Sequence, residues 1–360
     1  MKEAGKDLIL QEDLEYIAAD PSRFSELNGS AFLVTGATGL IGSLMVRTLL
    51  CACRLHGMDI QVIALVRNME KARAMFGPLT ENGLLHLALA DVTDRPAAAL
   101  RDFPVIDYIV HTASVTASRT MVSQPVETIA ASVDGTKNIL ELAREKSCRG
   151  MVYLSSMEVY GSVSGEASCC TTERDIGYLD PLRIRSNYPE SKRLCENMCV
   201  AYASEYGVPV RIARLAQTFG AGVLPGENRV FAQFARSAME KRDIVLHTQG
   251  LSEGNYCYTR DVMAALLTLL TRGEPGTAYN VSNPESHTTI RAMAEMVCER
   301  LAGGEISVVY DIPEENVYGY AADTKMKLDI RRMQALGWQP EVGLFEAYRR
   351  MMDSMRLTGV

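Results

Sequence analysis

From Ala31 onward the chain alternates short, β-rich apolar runs with longer stretches in which apolar residues recur every three to four positions. The runs 31–35, 60–66, 85–90, 106–111, 151–155 and 208–213 predict strands, and the amphipathic stretches between most of them predict helices. Short runs that are apolar on both faces, each followed by a helix, are what a parallel sheet covered on both sides requires. The expected fold is therefore α/β, built on a doubly wound parallel sheet. Beyond about residue 215 the pattern loosens into Gly- and Asn-rich loops. Helices are predicted there near 230–241, 261–271, 290–301 and 344–355, with short strands near 244–246, 278–281 and 306–309. This section predicts a smaller C-terminal α/β lobe closing over the sheet's C-terminal edge. Residues 1–30 are polar, with a helical pattern at Leu14, Ile17 and Ala18 broken at Pro21. The expected reading is a surface helix, with a lid or an oligomer contact as the other two.

Composition narrows the class. The 360 residues are 47% hydrophobic and 22% charged, ordinary values for a folded globular chain and wrong for a disordered or collagen-like one. Thirty-seven Lys and Arg against 44 Asp and Glu leave a formal charge of −7, so no electropositive field draws in a nucleic acid. The 9 cysteines are scattered, the close groups being Cys51 with Cys53, Cys169 with Cys170, and Cys195 with Cys199. No pair of CxxC halves marks a zinc site, so no metal is expected and inert thiols in a reducing cytosol are the reading. The N-terminus lacks the apolar core of a secretory signal, and the most hydrophobic run, 264–270, is too short to span a bilayer. A cytoplasmic protein without a membrane partner is expected.

The first predicted strand runs into Thr35-Gly36-Ala37-Thr38-Gly39-Leu40-Ile41-Gly42, followed by a helical pattern at Leu44, Met45, Thr48 and Leu49. Three glycines at this spacing permit a tight turn, close approach of backbone to a pyrophosphate, and tight packing of helix on strand. The helix N-terminus then faces the phosphates. This context makes the strand-turn-helix a candidate dinucleotide site of the Rossmann type, contributed by Gly36, Thr38, Gly39, Leu40, Ile41 and Gly42. The second strand ends in Arg67-Asn68 where an acid would accept the ribose 2′-hydroxyl. Arg67 can pair with a 2′-phosphate, which favours NADP over NAD. Asp91-Val92 after the third strand stands where an adenine contact is expected, and Ala113-Ser114 after the fourth lies along the cofactor.

Chemistry is concentrated after the fifth strand, in Ser155-Ser156-Met157-Glu158-Val159-Tyr160-Gly161 and in Asn187-Tyr188-Pro189-Glu190-Ser191-Lys192. Asn187, Glu190 and Pro189 together signal a helix start, placing Tyr188 and Lys192 at i and i+4 on one face. An ammonium near a phenol is expected to pull its pKa down from about 10, so that the phenolate takes a hydroxyl proton while hydride leaves the same carbon. Ser156 would share that proton.

With these residues in chain order the sequence resembles the extended short-chain dehydrogenase/reductase superfamily, the group of NAD(P)-dependent nucleotide-sugar epimerases, dehydratases and decarboxylases. The resemblance runs from Ala31 to about Met355. It includes Ser156-x-x-Val159-Tyr160-Gly161, Tyr188 with Lys192, and Arg214-Leu215-Ala216-Gln217-Thr218-Phe219-Gly220. It continues through Tyr258-Thr259-Arg260-Asp261-Val262, Ala278-Tyr279-Asn280-Val281 and Leu336-Gly337-Trp338-Gln339-Pro340. The resemblance implies a Rossmann domain over 31–215 carrying the catalytic residues, and a substrate lobe, mainly 216–360, interleaved with it. It further implies a bound cofactor that oxidises a sugar at C4, a nucleotide-diphosphate sugar as partner, and a homodimer formed through helices 128–146 and 188–206.

Glu158 occupies the place of the catalytic Glu of 4,6-dehydratases and UDP-glucuronate decarboxylases, and Met157 replaces the acid that dehydratases use. Gln217, Arg229 and Arg260 are the candidate substrate contacts. Gly254 stands where an Arg commonly grips the diphosphate, and Ser132 where a helix Asn lies near the active site. The first expectation is a nucleotide-sugar 4-epimerase. A UDP-glucuronate decarboxylase, an NADPH-consuming reductase and a dinucleotide-sensing module without chemistry are the alternatives.

Overall fold

The computed structural model describes residues 2–95, 99–163, 170–313 and 325–360. Cys169 lies outside these. In chain order the elements are α1 (Leu8–Ala18), β1 (Ala31–Thr35), α2 (Leu40–His56), β2 (Gln61–Val66), α3 (Met69–Phe76), β3 (Leu85–Leu89), β4 (Tyr108–His111), α4 (Ser118–Ser123), α5 (Pro125–Glu145), β5 (Gly150–Ser156), α6 (Asn187–Tyr206) and β6 (Val210–Leu215). The second half adds β7 (Gln217–Phe219), α7 (Val230–Met239), β8 (Ile244–Leu246), β9 (Glu253–Tyr258), α8 (Thr259–Arg272), β10 (Ala278–Val281), β11 (Asn283–Thr289), α9 (Ile290–Met296), β12 (Val308–Tyr310), α10 (Arg331–Ala335) and α11 (Leu344–Thr358).

Seven strands form one parallel sheet in the order β10-β6-β5-β4-β1-β2-β3. The order reverses beside β1, and the crevice at such a switch point is where open α/β sheets hold ligands. The two-residue period of a strand sends Phe32 and Val34 of β1 into the core on one face and Leu33 into the core on the other. The first face is covered by α2 and α8, through residues such as Leu49 and Leu266. The second is covered by α5 and α6, through Ile139, Leu140, Cys195 and Cys199. A separate core around Phe219, Phe231, Tyr256 and Tyr348 supports the lobe sheets β11-β9-β7 and β12-β8.

Three expectations are corrected. The run at 278–281 is not a lobe strand; as β10 it pairs in parallel with β6 and closes the main sheet. The predicted helix 290–301 is α9 followed by one π turn over Val297–Leu301. Most consequential, the N-terminal helix is not a surface helix. Leu10, Leu14, Ile17 and Ala18 are buried in the main core, and Asp13 is buried with them at 2% exposure. Among the described residues no helix is long and apolar enough to cross a membrane, and no group of three or more His, Cys, Asp or Glu side chains is placed to hold a metal ion.

Candidate active site

A cleft of about 980 Å³ opens along the C-terminal ends of β1, β4 and β5 and under the lobe. At its floor Gly36 has φ +61°, and a Cβ there would lie 2.8 Å from Ala113 backbone. A Cβ at Gly42 would run into the Gly36 carbonyl, so α2 and β1 pack at a distance only glycine permits. Gly39 precedes α2 and offers no side-chain cap. The first amides of α2 therefore have no partner within the helix, and Gly39, Leu40 and Ile41 line the cleft. A capless helix start behind a turn with no room for Cβ fits a dinucleotide pyrophosphate. Thr38, Asn68, Val92, Ala113 and Ser114 continue the lining, together with Arg67 and Asp91.

Arg67 is largely exposed and stands 3.5 Å from Asp91. Burial pushes the Asp91 carboxyl up, but hydrogen bonds from Thr93 and the charge of Arg67 outweigh it and hold it below the usual range. Asn68 has a second duty, its Oδ1 accepting from the Lys71 amide to cap α3.

At the far end of the cleft lie Ser156, Met157, Glu158, Tyr188 and Lys192. The Ser156 hydroxyl accepts from the Glu158 amide at 3.2 Å and, facing Tyr188, acts to lower its pKa. Lys192 Nζ donates to the Leu154 carbonyl at 2.7 Å and stands 5.7 Å from the Tyr188 ring centroid. Asn187 does not cap α6, as the sequence pattern suggested. Its Nδ2 donates instead to the Met121 and Ile184 carbonyls, tying the start of α6 to α4.

The expected depression of the phenol pKa is reversed in this structure. Burial, followed by the charge of Glu158, pushes Tyr188 up to about 12, against a smaller lowering by Ser156, Arg185 and Arg229. Lys192 is itself desolvated and pushed down to about 8, which weakens the charge meant to act on the phenol. Beneath both, His111 is fully buried, with Nδ1 2.7 Å from Thr35 Oγ1 and Nε2 3.3 Å from Thr136 Oγ1. Burial pushes it down to about 3, aided by the nearby Lys192 charge.

The residue that sequence reasoning missed is Arg185. Its Nη2 donates to both Glu158 oxygens, at 2.8 and 3.1 Å, and its guanidinium lies 5.7 Å from the Tyr188 ring centroid. A signal existed, because Arg185 precedes Tyr188 by three positions and so falls on its side of a helical turn.

On the lobe side Gln217, Thr218, Arg229, Glu253, Gly254 and Tyr256 line the cleft. Arg229 is held by Glu227, through Nη2 at 2.7 Å and Nε at 3.1 Å. Glu253 meets His287 at 3.1 Å. Arg260 is not brought to this cleft. The first turn of α8 directs it to the opposite side, where it stacks at 4.0 Å from the Tyr16 ring centroid and pairs with Asp13 at 3.7 Å and Glu341 at 3.5 Å. Ser132 on α5 keeps a buried hydroxyl without a hydrogen-bond partner among the described residues.

A doubly wound sheet with this glycine turn and a buried Tyr-x-x-x-Lys pair defines a dinucleotide-dependent enzyme. The model of the NAD dependent epimerase/dehydratase family matches residues 32–282. The chain belongs to that family. It is 27% identical over 339 residues to UDP-glucuronic acid decarboxylase 1 of Xenopus tropicalis, covering 93% of this chain and 75% of that protein. To UDP-glucuronic acid decarboxylase 6 of Arabidopsis thaliana it is 29% identical over 338 residues, covering 93% and 91%. Among solved structures, UDP-glucose 4-epimerase of Thermotoga maritima with UDP-glucose superposes with a TM-score of 0.75 at 22% identity, covering 92% of this chain and 100% of that one. The dTDP-glucose 4,6-dehydratase DesIV of Streptomyces venezuelae, with NAD bound, gives 0.74 at 25% identity, covering 91% and 97%.

Proposed function

We propose that the enzyme oxidises the C4 hydroxyl of a nucleotide-diphosphate hexuronate and lets the 4-keto acid lose carbon dioxide, as a decarboxylase of the UDP-glucuronate type. The observation that carries this reading is Glu158 with Arg185 beside Tyr188, next to Met157, which has no proton for a departing hydroxyl. The names of the curated relatives support decarboxylation ahead of the epimerisation that the sequence alone put first.

A dinucleotide held at the turn of Gly36, Gly39 and Gly42 would supply the hydride acceptor for C4 and the hydride for the closing reduction. Tyr188, in its phenolate form, takes the C4 hydroxyl proton, Ser156 shares it, and Lys192 holds the Tyr188 side of α6 against Leu154. A ketone at C4 makes the C6 carboxylate a β-keto acid. The C5–C6 bond then breaks heterolytically, its electron pair passes to the C4 oxygen as an enolate, and carbon dioxide leaves. A proton returns to C5 and Tyr188 gives its proton back to the C4 oxygen, so the turnover consumes one proton and no net reductant. Arg229 and Gln217 face the nucleotide-bearing portion of the substrate, a charge-assisted bond from Arg229 serving the diphosphate.

Epimerisation at C4 is the second reading. It is favoured by Arg185 occupying Glu158, which leaves Ser156, Tyr188 and Lys192 as the set that acts. Incubation with UDP-glucuronate, UDP-glucose and dTDP-glucose, read by product mass and proton NMR, separates the two. Loss of carbon dioxide supports the first, a C4-inverted product of unchanged mass supports the second, and no product from any nucleotide sugar sinks both.

The proposal extends to NADP ahead of NAD, because Arg67 is exposed enough to swing from Asp91 to a 2′-phosphate. It extends also to a homodimer through α5 and α6, whose outer faces expose Val126, Ile129, Leu194 and Val200. The seven cysteine thiols buried among the described residues suit a reducing, cytoplasmic setting.

A further inference from the structure

We propose that the N-terminal helix belongs to the substrate machinery, with Ser354 and Tyr258, anchored on its Asp7 and Asp13, acting as positioning residues for the cleft loop 220–229. This rests on the reading that the lobe side of the cleft takes the nucleotide sugar. Two routes run from the helix to consecutive backbone amides of that loop. In the first, Ser354 Oγ donates to Asp7 Oδ2 at 2.5 Å and accepts from the Gly222 amide at 3.0 Å. In the second, Tyr258 Oη donates to Asp13 Oδ2 at 2.5 Å and faces the Ala221 amide at 3.4 Å.

Each acid is fixed in turn. Asp7 Oδ1 caps α1 through the Leu10 amide, and Asp13 pairs with Arg350 at 3.0 Å. Leu10 packs on the loop itself, its Cδ2 only 3.2 Å from where a Cβ of Gly222 would lie. Gly222 has φ +80°, a backbone state that glycine alone adopts without cost. Asp7, Asp13, Ser354 and Tyr258 are all at most 3% exposed, so these bonds work in a dry environment where an unmade one is expensive.

The loop joins β7 to α7, and the residues at its two ends, Gln217, Thr218, Arg229 and Val230, line the cleft. Pinning the amides at 221 and 222 sets the path by which Arg229 is delivered. The matched stretch of the family model starts at residue 32, after this helix.

The test uses the full-length enzyme with Ser354→Ala, Tyr258→Phe and the conservative Ser354→Thr, read by hydrogen–deuterium exchange without substrate and by steady-state kinetics. Exchange over 220–229 is expected to speed up about three- to tenfold in Ser354→Ala and in Tyr258→Phe, each of which removes the one hydrogen bond its hydroxyl makes to the loop. KM for the nucleotide sugar is expected to rise by a similar factor while kcat and dinucleotide affinity hold, and Ser354→Thr is expected to restore both readouts. Unchanged exchange over 220–229 in both variants overturns the proposal. So does faster exchange spread evenly over the chain with kcat falling as KM rises, which marks a purely structural role. The exchange result needs no substrate, so absence of turnover with every nucleotide sugar counts against the functional reading and not against the positioning role.

Discussion

One nitrogen of Arg185 donates to both carboxylate oxygens of Glu158, and the same guanidinium lies against the ring of Tyr188. The two charges act on the phenol in opposite directions, Glu158 raising its pKa and Arg185 lowering it. Arg185→Ala should therefore shift the rising limb of the pH–rate profile upward, and Glu158→Gln should shift it downward, each by about half a pH unit. Both side chains are a third exposed, so the pair adds little to stability and the melting temperature should move by less than about 2 °C. A pH profile that ignores both substitutions would remove Arg185 and Glu158 from the site's electrostatics.

Tyr188 is the proton carrier in this scheme, and it is buried at the cleft end that Ser156 shares. Tyr188→Phe keeps the ring and deletes the hydroxyl. The expected result is a loss of about 10²- to 10⁴-fold in kcat with dinucleotide binding retained. Turnover within severalfold of wild type would show that another group moves the proton.

Much of this was legible before any coordinates, and the reasons differ by residue. Gly36, Gly39 and Gly42 were readable because their chemistry is local, a turn between a strand and a helix. Tyr188 and Lys192 were readable because helical spacing alone puts them on one face. Arg260 was misread because it lies inside a recognisable segment. Its neighbour Tyr258 points to the loop at Ala221, but Arg260 itself is turned by the start of α8 toward α1. The N-terminal helix was misread as a surface helix for the opposite reason, and Asp13 shows why. In sequence it sits in a polar stretch with the texture of a solvated helix, and the partners that bury it, Tyr258 and Arg350, are 245 and 337 residues away. No periodicity near Asp13 carries that information.

His111 is buried neutral at the end of β4, which ties stability to acidity. Its ordinary value is 6.5, and burial lowers it to about 3 in the folded chain. Between those values the unfolded chain binds a proton that the folded chain refuses, so this group contributes full stability above 6.5 and loses it as pH falls toward 3. His111→Gln should flatten the fall of the urea midpoint between pH 7 and pH 4 relative to wild type, although it lowers the midpoint at pH 7 by disturbing the bonds to Thr35 and Thr136. Parallel curves for the two proteins would assign the acid sensitivity to other groups.

At the ribose end, the proposal of NADP ahead of NAD rests on a single exposed guanidinium that stands 3.5 Å from Asp91. Arg67→Asp places a second carboxylate where a 2′-phosphate would sit. NADP affinity should fall by about tenfold or more, while NAD affinity changes by less than about threefold. Titration of both cofactors by protein fluorescence checks this, and equal losses for the two would show that Arg67 does not read the 2′ position.

Arg229 reaches the cleft already in the grip of Glu227, whose carboxyl is favoured upward by burial yet held below the usual range by that guanidinium. A diphosphate must compete with Glu227 for the same donors, and both are charge-assisted partners of comparable strength. Glu227→Gln weakens the internal partner while keeping its shape and its hydrogen-bonding oxygen. KM for the nucleotide sugar should then fall by about three- to tenfold with kcat unchanged, whereas Arg229→Ala should raise KM by about tenfold or more. If KM instead rises in Glu227→Gln, the carboxylate is what aims Arg229 at the phosphates, because a looser guanidinium would have lost more in orientation than it gained in freedom to bind.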